Sequence, residues 1–348
     1  MAVVGEIVAG RFRLVRPVGA GGMGSVWQAR DEILARDVAM KQIVAITGVP
    51  PAHADVWART VREARTSARL THPNVVRVYD VLFADGLPWI VMELVVGRSL
   101  DIAVQRDGPF APPAAARIGL AVLDGLDAAH QAGVLHRDVK PHNVLLADDG
   151  RVLLGDFSVA AFDPTHLGWQ DTPDEVVIGS PHYLAPERVR SGVSTVETDL
   201  WSLGATLYWL VEGRTPFSRF GGAALLTAVA TGAPDPQRQS GALAEVINGL
   251  LQRCPEDRLT AAAARILLEP VVHAAAEPAP TAEPPPPPEQ PVEAKVARKQ
   301  AAKQRAAEDK QTKAKAATEK AAHEKAAQEK AAQEKAANGK AKDGKAAN

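Results

Sequence analysis

Six residues near the N-terminus, Gly19-Ala20-Gly21-Gly22-Met23-Gly24, constrain this chain more than any other stretch. Glycines spaced G-x-G-x-x-G leave a backbone bare enough to lie against a ligand. The residues after them decide between two folds. A dinucleotide-binding fold needs a helix directly after the glycines, with its N-terminus facing the pyrophosphate. Here six residues separate Gly24 from the charged pair Asp31-Glu32, and they include Val26 and Trp27, which suit a strand. The spacing therefore predicts a hairpin of strand, glycine turn and strand. It is either a flexible tip or bare backbone laid over the phosphates of a nucleotide.

The surrounding pattern extends this reading. Strands are predicted at residues 12–18, 25–30 and 37–44, and a helix over 54–70, where Trp57, Val61, Ala64 and Ala68 fall at helical spacing. Apolar runs at 75–83 and 88–95, separated by Asp85-Gly86, read as two more strands. From residue 97 the pattern turns helical. A long helix is predicted over 112–132, started by its prolines and ended by Gly133. Short apolar runs come next at 134–135, 144–146 and 152–154, the last two joined by a turn at Asp149-Gly150. A stretch rich in Asp, Thr, Pro and Gly covers 161–179, and helices resume through Leu268. The expected fold class is α+β: a bilobal domain with a strand-rich N-lobe and a helical C-lobe, and a cleft between them as the ligand site.

Composition removes several alternatives. Hydrophobic residues make up 46% of the 348, enough for a real core. The single cysteine, Cys254, allows no intramolecular disulfide and no cysteine-rich metal site, and a packing role is expected for it. Residues 1–16 lack the basic and apolar regions of a signal peptide. The longest apolar stretch, 200–211, is too short to span a bilayer and contains polar residues. No transmembrane segment and a cytoplasmic location are the expectation.

Candidate chemistry lies in two places. In Val38-Ala39-Met40-Lys41, a strand period of two puts Ala39 and Lys41 on one face. The small side chain leaves room for a flat base, and the ammonium two residues on can reach phosphates. Glu63 on the following helix is the candidate carboxylate to hold that ammonium. Farther on, His136-Arg137-Asp138-Val139-Lys140-Pro141-His142-Asn143 forms a polar loop between apolar runs, and Asp156-Phe157-Ser158 follows a third run. Asn143 and Asp156 offer two oxygen ligands suited to Mg²⁺, which takes few protein ligands beside phosphates and water. Asp138 is then free to accept a hydroxyl proton. Each residue alone reads as an ordinary charge or turn residue; the ordered set does not.

With these motifs in hand, residues 8–270 resemble the bacterial eukaryotic-like serine/threonine protein kinases of actinobacterial type, with an N-lobe over about 8–95 and a C-lobe over about 96–270. The resemblance rests on the glycine loop ending in Val26, V-A-M-K, Glu63, H-R-D-V-K-P-H-N, D-F-S, Ala185-Pro186-Glu187, Asp199-Leu200-Trp201-Ser202-Leu203-Gly204 and Arg258. It implies ATP as cofactor with Mg²⁺, or Mn²⁺ in its place, and proteins bearing Ser or Thr as substrates. Lys41 would bind the α/β-phosphates and pair with Glu63, Asp138 would accept the substrate proton, and Lys140 would touch the γ-phosphate. Asn143 and Asp156 would hold the metal. Val18, Gly19, Gly21 and Gly24 belong to the phosphate loop. Val26, Ala39, Met92 and Leu145 would enclose adenine, with the backbone of Glu93 and Val95 on its edge. Glu187 would pair with Arg258, and Asp199 would brace the turn at 136–137.

The resemblance also implies an activation segment over 156–187 that is autophosphorylated, with a homodimer for doing so in trans. Thr172 is the first candidate acceptor there and Thr165 the second, with Arg137 helping to receive the phosphate. Ser158 stands where the family usually has glycine, and Ser180 where it often has threonine. A kinase-fold scaffold that binds ATP weakly is the competing reading, and a kinase of small molecules a more distant one.

The C-terminal part is different in kind. Residues 277–293 carry a run of five prolines and read as an extended linker. Residues 294–348 hold 15 basic and 7 acidic side chains in an Ala/Lys/Glu-rich repeat with no aromatic residue. This basic tail reads as disorder or a frayed helix, and as a spacer or a contact for anionic partners.

Overall fold

The computed structural model describes residues 2–21, 24–43, 69–157, 181–219 and 221–273. All lie in one compact unit, Met1–Pro278. The linker, the tail and most of the helix expected at 54–70 fall outside the described residues. The last two residues of that expected helix, Arg69 and Leu70, are not helical.

Six antiparallel strands form the N-lobe sheet: β1 (Ile7–Val8), β2 (Phe12–Gly21), β3 (Gly24–Asp31), β4 (Arg36–Ile43), β5 (Val78–Ala84) and β6 (Leu87–Met92), in the order β1-β2-β3-β4-β6-β5. The glycines join β2 to β3, as the hairpin reading requires, and Gly21 faces Gly24 in the register. Period two then sorts the side chains. Val38 and Met40 of β4 join Phe12, Leu14, Trp27, Trp89 and Val91 in one apolar cluster, while Ala39 and Lys41 of the same strand face the other way. Asp85 and Gly86 both have positive φ, 51° and 74°, the mirror-image turn that suits a tight hairpin.

Two strand boundaries differ from the apolar runs. The run at 75–83 enters the sheet only at Val78, because Val75 forms a parallel bridge to Leu154 and the Val76 amide donates to Leu154 O at 3.0 Å. The run at 88–95 leaves the sheet at Met92, and the Glu93 amide turns to Arg77 O at 2.8 Å.

The helical lobe opens with a second small sheet that hydropathy did not reveal in full. β7 (Gly97–Ser99) pairs with β8 (Val144–Ala147), which pairs with β9 (Val152–Leu154). Gly97 has φ +156°, and a Cβ there would sit 2.1 Å from Leu146 O, so only glycine allows this approach. The run at 134–135 is not a strand.

The helices are α1 (Leu100–Asp107), α2 (Pro112–Gln131), α3 (Pro186–Ser191), α4 (Val196–Glu212), α5 (Gly222–Thr231), α6 (Ala244–Leu250) and α7 (Ala261–His273). Prolines at the first two positions start α2, and Gly133, φ 75°, follows its end. A capping box between Thr195 and Thr198 starts α4. That helix is apolar almost all round and is the centre of the lobe, packed against α2 and α6. Its core position accounts for the apolar stretch at 200–211. Among the described residues no helix is long and apolar enough to cross a membrane. Cys254 is exposed beside the short helical turn Pro255–Asp257, so it does not have the packing role expected of it.

Candidate active site

β4 brings Lys41 to the floor of the N-lobe, and the hairpin of β8 and β9 brings Asn143 and Asp156 up from the helical lobe. Asn143 immediately precedes β8, and Asp156 lies two residues beyond β9. The Lys41 ammonium, almost fully buried, meets Asp156 Oδ2 at 2.8 Å. Burial pushes the Asp156 carboxyl up, but the adjoining Lys41 charge and hydrogen bond outweigh it and hold the group below the ordinary carboxylate value. The expected Lys41 partner, Glu63, lies outside the described residues. So do Ser158, Ser180, Thr165 and Thr172.

Asp138, Lys140 and Asn143 share one loop. Asn143 Nδ2 donates to Asp138 O at 2.8 Å and to Asp138 Oδ2 at 2.9 Å. Lys140 Nζ sits 2.8 Å from the same Oδ2. These contacts fix the Asp138 rotamer and leave its Oδ1 without a partner among the described residues. Because the Asn143 amide nitrogen is used as a donor, its carbonyl oxygen is the atom left for a cation.

The loop is held from beneath by a buried carboxylate. Asp199 Oδ2 accepts from the His136 amide at 2.9 Å, and Oδ1 from the Arg137 amide at 2.7 Å. His130 Nε2, at the end of α2, adds a third bond to Oδ2 at 2.8 Å. Sequence reasoning missed His130, since a single histidine on a helix carries no sign of a partner 69 residues away. The carboxylate stabilises an unfavourable backbone: Arg137 has φ 66°, a left-handed conformation costly for a side-chain-bearing residue. Asp156, with φ 64°, has the same feature. His136 links the two. Its Nδ1 accepts from the Asp138 amide at 3.2 Å, so Nε2 carries the proton and donates to Gly155 O at 2.8 Å. Its ring stands edge-on to Phe157, 4.5 Å away.

A cavity of about 570 Å³ opens beside these groups. Of the expected nucleotide residues, Val18, Gly19, Val26, Ala39, Met92, Glu93, Val95 and Leu145 line it, together with Asn143 and Asp156. Gly24, at the hairpin tip, and Lys41 are not among the described residues that line it. Arg16, Gln28 and His142 also line it and were not foreseen. His142 Nδ1 lies 3.1 Å from Asp101 Oδ2 on α1. That hydrogen bond raises the His142 pKa. Burial pushes Asp101 up, but its bonds to His142 and Ser99 bring it down to about 2.

Farther from the cleft, Arg258 grips Glu187 with two bonds of 2.8 and 3.1 Å and donates to Glu197 O at 2.6 Å. Its guanidinium lies 5.2 Å from the Trp201 ring centre. This buried pair ties the start of α3 to the start of α4. Arg188 of α3 donates to Arg137 O, extending the same support to the loop.

A strand lobe and a helical lobe joined by one connection, with a buried lysine meeting an aspartate across the cleft, define the protein kinase class. The family model described as "Protein kinase domain" matches residues 12–270, and the chain belongs to that family. Among curated proteins it is 37% identical over 217 residues to serine/threonine-protein kinase PrkC of Bacillus subtilis, covering 62% of this chain and 32% of PrkC. Against probable serine/threonine-protein kinase PknB of Corynebacterium glutamicum the identity is 37% over 217 residues, 61% of this chain and 33% of the relative. Against serine/threonine-protein kinase PknE of Mycobacterium tuberculosis it is 38% over 212 residues, 60% and 36%. The chain thus spans about a third of the length of the curated relatives it matches.

Proposed function

We propose that this chain is a serine/threonine protein kinase that transfers the γ-phosphate of ATP to hydroxyls of protein substrates. The observation that carries the reading is that Asn143 and Asp156 line one cavity, while Lys41 meets Asp156 and Asp138, itself paired with Lys140, is bonded to Asn143. Phosphoryl transfer asks a protein mainly to position groups and offset charge, and these residues do both.

The donor set fits a nucleotide with a divalent cation. The Glu93 amide is committed to Arg77 O, which leaves the Glu93 carbonyl and the Val95 amide as acceptor and donor for a base edge. Asn143 and Asp156 contribute two hard oxygen atoms, suited to Mg²⁺ or Mn²⁺ completed by phosphate oxygens. When bound, the cation neutralises developing charge on the phosphates. Lys41 binds the α/β-phosphates once Asp156 turns to the cation. Asp138 orients the attacking hydroxyl through Oδ1 and accepts its proton, while Lys140 offsets charge at the transferred group.

The serine/threonine assignment draws support from the names of the relatives and from Lys140 in the catalytic loop. Autophosphorylation at Thr172, and then Thr165, is part of this proposal, in trans within a homodimer. Phosphopeptide mapping of the active protein checks the sites.

The primary test is incubation with radiolabelled ATP and Mg²⁺. The wild type incorporates label into itself and a protein acceptor, and Lys41→Met and Asp138→Asn incorporate none. Full incorporation by either variant overturns the assigned roles.

A further inference from the structure

The hinge between the lobes is pinned to the β8–β9 hairpin by a side-chain contact that takes no part in phosphoryl transfer itself. Arg151, immediately before β9, donates from Nη1 to Glu93 Oε1 at 2.9 Å. Glu93 lines the cavity at the hinge, and the proposed function gives its carbonyl to the base edge. An exposed ion pair of this kind usually contributes little. Here the arginine is set in place before it reaches the hinge. Its amide donates to Asp149 Oδ1 at 3.0 Å, and its Nε donates to Asp149 Oδ2 at 2.7 Å. The turn Asp149-Gly150-Arg151 thus holds its own guanidinium, and less freedom is lost when Nη1 meets Glu93.

The backbone ties the same two segments. The Asp148 amide donates to Val96 O at 2.9 Å, and Gly97 pairs with Ala147. The hairpin held in this way carries Leu145 in the cavity wall and has Asn143 and Asp156 at its two ends. Glu93 is the hinge end of the tie, and the hairpin end leads directly to the residues assigned to the cation.

We propose that Arg151 is a positioning residue for nucleotide binding, resting on the kinase reading: by holding Glu93 against the β8–β9 hairpin it sets the span between the hinge carbonyl and the cation-binding residues. Loss of the guanidinium leaves the lobes intact and the phosphoryl-transfer groups in place, but lets the hinge drift from the hairpin. The effect falls on nucleotide affinity and not on turnover.

The test measures nucleotide binding directly, by calorimetry with ADP and Mg²⁺, beside steady-state kinetics on the full chain. Arg151→Ala weakens ADP binding and raises KM for ATP about three- to fivefold, with kcat and the KM for the protein acceptor unchanged. Arg151→Lys recovers part of the affinity. Glu93→Gln reproduces the loss, and the double variant is no weaker than either single one. Unchanged ADP affinity in Arg151→Ala, additive losses in the double variant, or a fall in kcat equal to the loss in affinity would each overturn the proposal. A wild-type chain that binds no nucleotide would instead overturn the kinase reading on which it rests.

Discussion

Individual side chains do most of their work here through hydrogen bonds that fix backbone. Asp199 is the clearest case. An asparagine offers one acceptor oxygen where the carboxylate offers two to the amides of His136 and Arg137 and to His130. Each orphaned buried donor costs about 1–3 kcal/mol, and the left-handed Arg137 loses what holds it. Asp199→Asn is therefore expected to lower kcat by about a hundredfold with helix content preserved, read by kinetics and circular dichroism on the same samples. Asp31 plays a similar part in the N-lobe. It is fully buried, receives two bonds from Arg11 at 2.8 and 2.7 Å, and caps the turn at Ile33 and Leu34. The Arg11 bonds bring its pKa from 3.8 down to about 2. A carboxylate with a depressed folded pKa contributes stability that is present above its unfolded value and is lost as pH falls through the folded one. Asp31→Asn is accordingly less stable than wild type at pH 7, and the gap closes between about pH 4 and pH 2 in urea titrations. Which residue types matter was readable in the order of the motifs, and the resemblance also implied the Glu187–Arg258 pair and the Asp199 brace under residues 136–137, both present; other partners were not readable. The expected partner of Lys41, Glu63, lies outside the described residues; among those described Lys41 meets Asp156, a contact 115 positions along the chain that no local pattern announces.

Secondary-structure elements were legible where one face is apolar and the other is not. α2 and the hairpins of the N-lobe match their periodicity closely, because capping prolines, Gly133 and the Asp85-Gly86 turn punctuate them. Elements whose limits are set by tertiary pairing were misjudged. β7 is three residues long and exists because Gly97 permits approach to Leu146, and β5 starts late because Val75 is drawn to β9. Between helices the same closeness can be tested. A Cβ at Gly204 of α4 would lie 2.7 Å from Leu250 Cβ of α6, so Gly204→Val is expected to destabilise by about 1–3 kcal/mol through overpacking, seen as a lower midpoint in denaturant. At the join of α3 and α4, Arg258→Met strands Glu187 without its buried partner. It should cost about 3–5 kcal/mol, against at most about 0.5 kcal/mol for a change at the exposed Arg253.

At the level of the molecule, two lobes are connected by more than the chain segment between them. Asn74, in the strand lobe's approach to β5, accepts from the Leu154 amide at 2.8 Å, and its Nδ2 donates to Val152 O at 2.9 Å. α2 comes so close that a Cβ on Gly125 would be 2.9 Å from Asn74 O. Asn74→Ala removes the side-chain half of this bolt and is expected to lower Tm by a few degrees and kcat together, in contrast to changes at the hinge. The bilobal plan was visible from the change of hydropathy period near residue 97, whereas this bolt was not, since it joins segments 78 positions apart through a residue type common in turns.

The anchoring of residues 136 and 137 has a further effect on how that segment behaves in time. Their N–H groups belong to an irregular loop, yet both point into a carboxylate buried between α2 and α4. Exchange with deuterated solvent then requires those helices to part, an event close to global unfolding in free energy. The two amides should rank with helix-interior amides among the slowest to exchange, far behind the exposed turn at residues 148–150.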